Sequence, residues 1–202
     1  METKRKLNFG DIDVASCVRP CLGERVSGDT VVIEQRDDML FLAIIDALGH
    51  GPQAHVVADQ AERFLRTGWS SDVLDTMHRL HSKLQGSIGA GAGLCVVNRL
   101  TREMRYAGVG NTVLRTFGPR ATRLVSADGI IGSRFRTPAV QALPLNESGV
   151  IVMYTDGVSD HFDIAQYPQI IYNSASAITR KIVDRFGKPY DDATCLAMRY
   201  GR

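Results

Sequence analysis

Met39-Leu40-Phe41-Leu42-Ala43-Ile44-Ile45-Asp46-Ala47-Leu48-Gly49-His50-Gly51-Pro52 is the stretch from which the rest of the chain can be read. The unbroken apolar run over 39–45 lacks the polar alternation of a half-exposed strand, so it reads as a β-strand buried on both faces. It stops on a carboxylate, Asp46. Gly49 and Gly51 then break the extended backbone, and Pro52 suits the first turn of a helix, where its missing N–H is not needed. The same device recurs at 150–154, a second buried strand that runs into Thr155-Asp156-Gly157-Val158. Ser27-Gly28-Asp29 and Asp191-Asp192-Ala193-Thr194 each border a further β-type run, 30–34 and 193–198.

Outward from this stretch, the first 50 residues are β-rich, with a turn at Asp37-Asp38. Helical spacing of Val56, Val57, Ala61, Phe64 and Leu65 predicts a helix over 53–67, stopped by Gly68. A second helix is expected from a cap at Ser71 to about Gln85, followed by a glycine-rich break over 86–93. Short strands follow at 94–98, 104–107, 113–117 and 122–125, and a last helix at 174–186 precedes the closing strand. Strands, a helix pair, a meander, a helix and a final strand do not alternate as parallel α/β folds do. The order predicts a single α+β domain over 1–202 with mostly antiparallel sheets.

The composition, 44% hydrophobic and 23% charged over 202 residues, is that of a globular domain with a sizeable core. A net charge of +2 is too mild for nucleic-acid binding, and no apolar run is long enough to span a bilayer. The basic N-terminus has no apolar stretch behind it, so it is not a signal peptide, and a cytoplasmic location is expected. Cys95 and Cys195 read as small core residues. Cys17 and Cys21 have three residues between them, not the two of the common zinc and redox motifs, and no disulfide framework is expected.

A lone aspartate after a strand is most often a turn cap. Four of them, with Gly28, Ala47, Gly49, Gly51 and Gly157 clearing space alongside, point instead to converging carboxylates. Such a cluster repels itself unless a cation joins it, and all-oxygen ligation selects magnesium or manganese over zinc. The ordered set Gly28-Asp29, Asp46-x-x-Gly49-His50-Gly51, Thr155-Asp156-Gly157 and Asp191-Asp192-x-Thr194 resembles the metal-dependent PPM-type serine/threonine protein phosphatases. Within these it is most similar to the compact bacterial branch of the SpoIIE, RsbU and RsbX phosphatases, above all the free-standing RsbX type. The likeness runs from Asp13 to Met198.

The resemblance implies a sandwich of two antiparallel β-sheets flanked by α-helices, binding two Mn2+ or Mg2+ ions. Asp46 would bridge the metals, the Ala47 carbonyl and Asp29 would serve one of them, and Asp156 and Asp191 the other, with Asp192 the alternative in the last motif. A water activated by the metals would attack phosphorus without a phosphoenzyme. The implied substrate is a phosphoserine or phosphothreonine protein, by analogy a STAS-domain protein of the stressosome. Two other readings remain open on the residues: a catalytically silent adaptor, and a two-metal hydrolase of small phosphoesters.

The chain departs from the family at Ala47, where glycine is common. Arg25 lies near the place of a phosphate-gripping arginine. His50 is expected in a turn role, His78 and His81 on a solvated helix face, and Asn111 near the site but not on a metal. His161 is a lesser candidate for the acid that protonates the leaving alkoxide. Gly89 to Gly93 lacks the lysine and spacing of a nucleotide loop and is expected to pack beside the core sheet. Seven arginines between 101 and 136, against Glu103 and Asp128 and no lysine, read as a solvated face or as a docking surface for an acidic or phosphorylated protein.

Overall fold

A computed structural model describes residues 3–9, 11–119, 121–145, 147–159 and 172–201. Its strands are β1 (Thr3–Phe9), β2 (Ile12–Arg19), β3 (Asp29–Arg36), β4 (Met39–Ala47), β5 (Ala90–Asn98), β6 (Glu103–Val109), β7 (Val113–Phe117), β8 (Thr122–Val125), β9 (Gln141–Pro144), β10 (Gly149–Tyr154) and β11 (Ala193–Tyr200). Its helices are α1 (Gly51–Gly68), α2 (Val73–Lys83) and α3 (Ala175–Phe186). One sheet has the order β1-β2-β11-β10-β7-β8 and the other β3-β4-β5-β6-β9, and every paired neighbour is antiparallel.

The two sheets stack face to face, with α1 and α2 covering the five-stranded sheet and α3 the six-stranded one. This layering explains the unbroken apolar run. Along β4, Leu40, Leu42 and Ile44 enter the core between the sheets, while Phe41, Ala43 and Ile45 enter the core beneath α1 and α2. Successive side chains of a strand point to opposite faces, so a strand with cover on both sides has no polar position left. In β10, Ile151 and Met153 face the other sheet and Val150, Val152 and Tyr154 face α3. The expected α+β sandwich with flanking helices is the fold observed.

The helices start where local chemistry allows. Pro52 occupies the first turn of α1, which begins two residues ahead of the expected 53. The cap of α2 is Asp72 rather than Ser71: its carboxylate accepts from the Leu74 and Asp75 amides, and an ionised acceptor suits the positive end of a helix. Ser174 caps α3 as its position suggests, accepting from the Ala177 amide.

Three strand features differ from the expectation. β1 is charge-rich and lies at the sheet edge, where lysines are at home. β9 is a four-residue edge strand that ends in a proline. The supposed glycine break reaches only to Gly89, because Ala90-Gly91-Ala92-Gly93 already belongs to β5. Gly93 is small because a Cβ there would lie 3.0 Å from Thr112 Oγ1 and 3.1 Å from the Tyr106 hydroxyl.

All four cysteines are buried, and none is in a disulfide. His78 is exposed, as a solvated helix face requires, and His81 half-buried; both rings pack against Phe135, and His81 Nδ1 accepts from the Gly132 amide at 3.0 Å. Among the described residues no helix is long and apolar enough to cross a membrane.

Candidate metal centre

All four acidic motifs come to one end of the sandwich, two from each sheet. Asp29 opens β3 and Asp46 sits one residue from the end of β4, directly opposite it in the antiparallel register. Asp156 lies in the turn after β10, and Asp191 and Asp192 in the turn before β11, the partner strand of β10. Ala47, the last residue of β4, donates its amide to the Gly28 carbonyl at 3.1 Å, with its methyl buried beneath the helices.

The loops bearing these residues touch as closely as backbones can. A Cβ on Gly157 would lie 1.8 Å from the Asp192 carbonyl oxygen, and one on Gly28 would lie 2.5 Å from Ala54 Cβ. Gly49 and Gly51, at φ of 81° and 74°, turn the chain from β4 into α1, a conformation other residues resist. His50 joins this turn to the preceding loop through Glu24, Nδ1 to Oε1 at 3.1 Å, and so has the turn role expected of it.

Other residues hold the carboxylates of Asp29, Asp156 and Asp191. The Thr155 hydroxyl donates to Asp29 Oδ2 at 2.8 Å and itself accepts from the Thr194 amide at 3.2 Å, a chain that ties one sheet to the other. Asn111 Nδ2 donates to Asp156 Oδ2 at 2.8 Å, which places it beside the site as expected. Lys188 Nζ donates to the Asp156 backbone carbonyl at 2.6 Å, and the Lys188 amide donates to the Gly157 carbonyl at 2.7 Å. Among the described residues the Asp191 carboxylate takes only the neighbouring Asp192 amide, at 2.9 Å.

Asp192 behaves differently. Its side chain is 3% exposed, and its two oxygens accept from the Cys21 amide at 2.7 Å and the Gly28 amide at 2.6 Å. It fastens the loop that precedes Asp29. Asp191, half-buried, keeps an oxygen directed elsewhere, so the geometry favours Asp191 over Asp192 as a donor.

The electrostatics report crowding. Burial, then the charge of Asp46, pushes the Asp29 carboxyl well above its ordinary range. Burial, followed by the charges of Asp156, Asp191 and Asp192, raises Asp46 to about 8. Burial and Asp156 raise Asp191 as well. Among the described residues no three acidic, histidine or cysteine side chains already form a ready-made ligand set. The hydrogen bonds explain this, since Thr155, Asn111 and the Asp192 amide each hold one carboxylate aside. The donors still fit a hard divalent cation: they are all oxygen, and a positive charge among them removes the repulsion that raises their proton affinity.

Two cavities flank the centre. One of about 230 Å³ between β2, β3 and α1 is lined by Arg25, Asp29, His55 and Glu62 among others. Another of about 380 Å³ lies on the far side, against Asn111, Arg123, Asp156 and Lys188. Arg25 is exposed at the rim of the first. His161 lies outside the described residues. Thr155, Lys188 and the fastening role of Asp192 escaped the sequence reading. Only Thr155 carried a signal, as part of a motif already singled out.

Comparison with known proteins agrees with this fold. The family model described as Stage II sporulation protein E (SpoIIE) matches residues 36–201, a span that includes Asp46, Asp156 and Asp191 and begins after Asp29. The phosphoserine phosphatase RsbX of Bacillus subtilis (strain 168) is 21% identical over 164 residues, 78% of this chain and 82% of that protein. A crystal structure of RsbX in complex with magnesium superposes with a TM-score of 0.85 at 18% identity, covering 98% of this chain and 100% of that one. A structure described under the bacterial stressosome, a modular system adapted to control secondary messenger signalling, gives a TM-score of 0.87 at 23% identity over 93% of this chain and 99% of that one. The structural likenesses carry the fold, and the family match extends over well more than half of the sequence. The chain belongs to the SpoIIE family of PPM-type phosphatases.

Proposed function

We propose that this protein is a metal-dependent phosphatase that hydrolyses phosphoserine or phosphothreonine on a partner protein. One observation carries the reading: carboxylates from four separate segments and both sheets converge, and burial and crowding raise the proton affinity of Asp29, Asp46 and Asp191. In the proposed assignment Asp46, Asp29 and the Ala47 carbonyl would hold one Mn2+ or Mg2+ ion, and Asp46, Asp156 and Asp191 would hold a second. When bound, such a pair of ions clamps a phosphoryl group and activates water for in-line attack.

The chain's own part is orientation. Thr155 fixes the rotamer of Asp29, Asn111 that of Asp156, and Lys188 anchors the turn that carries Asp156. Asp192 locks the loop before Asp29 by accepting from two backbone amides, which supports Asp191 rather than Asp192 as the donor of the last motif. A half-buried centre at the end of a rigid sandwich suits a phosphorylated side chain offered by another protein. The RsbX and stressosome likenesses support STAS-domain stressosome proteins as the substrates.

Manganese-dependent hydrolysis of an aryl phosphate tests the reading, with wild type compared to Asp46→Asn and Asp156→Asn. Turnover that needs the metal and collapses in both variants is expected. Folded wild type without metal-dependent turnover would return the adaptor reading, and equal activity in all three proteins would remove the proposed site. Phosphorylated STAS proteins set against small phosphoesters then separate the two enzymatic readings.

A further inference from the structure

The cavity of about 380 Å³ beside Asp156 is lined by Asn111, Arg123, Ser126, Asp156 and Lys188 among others. It shares Asp156 and Lys188 with the candidate metal centre, so an occupant sits next to the reacting phosphoryl group. Among the described residues that line it, Asp156 is the one acidic side chain, against the cations Arg123 and Lys188. Lys188 has one of its three donors on the Asp156 carbonyl at 2.6 Å.

The neighbouring hairpin adds charge. Arg115 on β7 stands directly opposite Arg123 on β8, so both guanidinium groups leave the same face of the sheet. That face also carries Val113 and Phe117, whose side chains belong to the layer beneath α3, and Arg115 lies over the Phe117 ring at 5.1 Å. The arginine-rich segment noted in the sequence thus brings one guanidinium group, that of Arg123, into the lining of this cavity.

We propose that this cavity is a second anion subsite, one that takes an acidic side chain carried close to the phosphorylated residue of a protein substrate, with Arg123 as the specificity-determining cation. The inference rests on the phosphatase reading and narrows its substrate class to phosphosites with aspartate or glutamate nearby. An extended peptide advances about 3.3–3.6 Å per residue, so a side chain within a few positions of the phosphoresidue reaches a cavity that adjoins the centre.

The test uses the full chain with manganese and two phosphoserine peptides, one flanked on both sides by glutamates and one by glutamines, alongside an aryl phosphate. The readout is the ratio of kcat/KM for the two peptides, which cancels any general loss of chemistry in a variant. Wild type is expected to favour the acidic peptide about fivefold, Arg123→Gln to bring the ratio near one, and Arg123→Glu to favour the glutamine peptide. A wild-type ratio near one, or an Arg123→Glu ratio equal to that of wild type, overturns the subsite while aryl phosphate turnover leaves the phosphatase reading standing. Absence of turnover on all three substrates overturns the phosphatase reading itself.

Discussion

Replacing Asp46 by asparagine is expected to stabilise the metal-free protein, and more so as the pH rises. In the fold this carboxyl titrates at about 8, against an ordinary 3.8, because it is buried and faces Asp156, Asp191 and Asp192. A carboxyl raised in the native state keeps its proton at a pH where the unfolded chain has lost it. The native state then binds more protons, and stability falls as the pH climbs from about 4 towards 8. The separation of about 4 pH units amounts to roughly 5 kcal/mol at neutral to mildly alkaline pH, shared by the cluster. Asparagine keeps the shape and removes the charge, so the variant should recover at least about 2 kcal/mol, a rise of at least about 4 °C in Tm for a chain of this size. Thermal melts of both proteins in chelator, at about pH 5 and about pH 8, give the comparison, with the gap widening at the higher pH. Manganese should reverse the order, since a ligand at a hundredfold excess over its Kd adds about 2.7 kcal/mol to whichever protein binds it. A variant less stable than wild type by the same margin at both pH values in chelator would refute the reasoning.

Asp191→Ala and Asp192→Ala should part company. The first leaves stability nearly intact yet weakens manganese binding by calorimetry; the second strands the Cys21 and Gly28 amides and lowers stability by about 2–5 kcal/mol in denaturant melts. Thr155→Val removes the donor to Asp29 and leaves the Thr194 amide without its acceptor, for a loss of about 1–3 kcal/mol together with weaker metal binding. Gly157→Ala drives a methyl into the Asp192 carbonyl, where only backbone movement makes room. It should lower stability by at least about 2 kcal/mol and weaken metal binding even though no ligand is altered, an effect absent if the two turns separate freely.

Much of this architecture was legible because burial on both faces writes itself into the sequence as unbroken apolar runs. The 39–45 and 150–154 segments declared the two central strands, and the 3.6-residue spacing declared α1 and α3. β1 and β9 stayed hidden because an edge strand needs few apolar residues and tolerates lysine and proline. The start of β5 stayed hidden because its glycines answer to close neighbours, Gly91 to the backbone of 109–111 and Gly93 to Thr112 and Tyr106, rather than to strand propensity. In the site, the acid-bearing turns were visible as motifs. The difference between Asp191 and Asp192 was not, because it depends on amides of residues 21 and 28, brought alongside only by folding. Lys188 had no local signature at all; its partner is a backbone carbonyl, and any sequence can present one.

The antiparallel sheets contribute carboxylates in equal number, Asp29 and Asp46 from one and Asp156 and Asp191 from the turns of the other. Their mutual spacing is therefore a property of how the sheets lie on one another, not of any single loop. The layer of Leu42, Ile44, Met153 and Leu196 between the sheets acts as the shim that sets it. A methylene added to or taken from that layer shifts one pair of donors against the other, so tolerance to substitution should run low deep in the interior, far from any residue a substrate touches. A cation gripped from both sides would in turn rivet the layers together, and amide exchange in strands of both sheets should slow in concert when it binds.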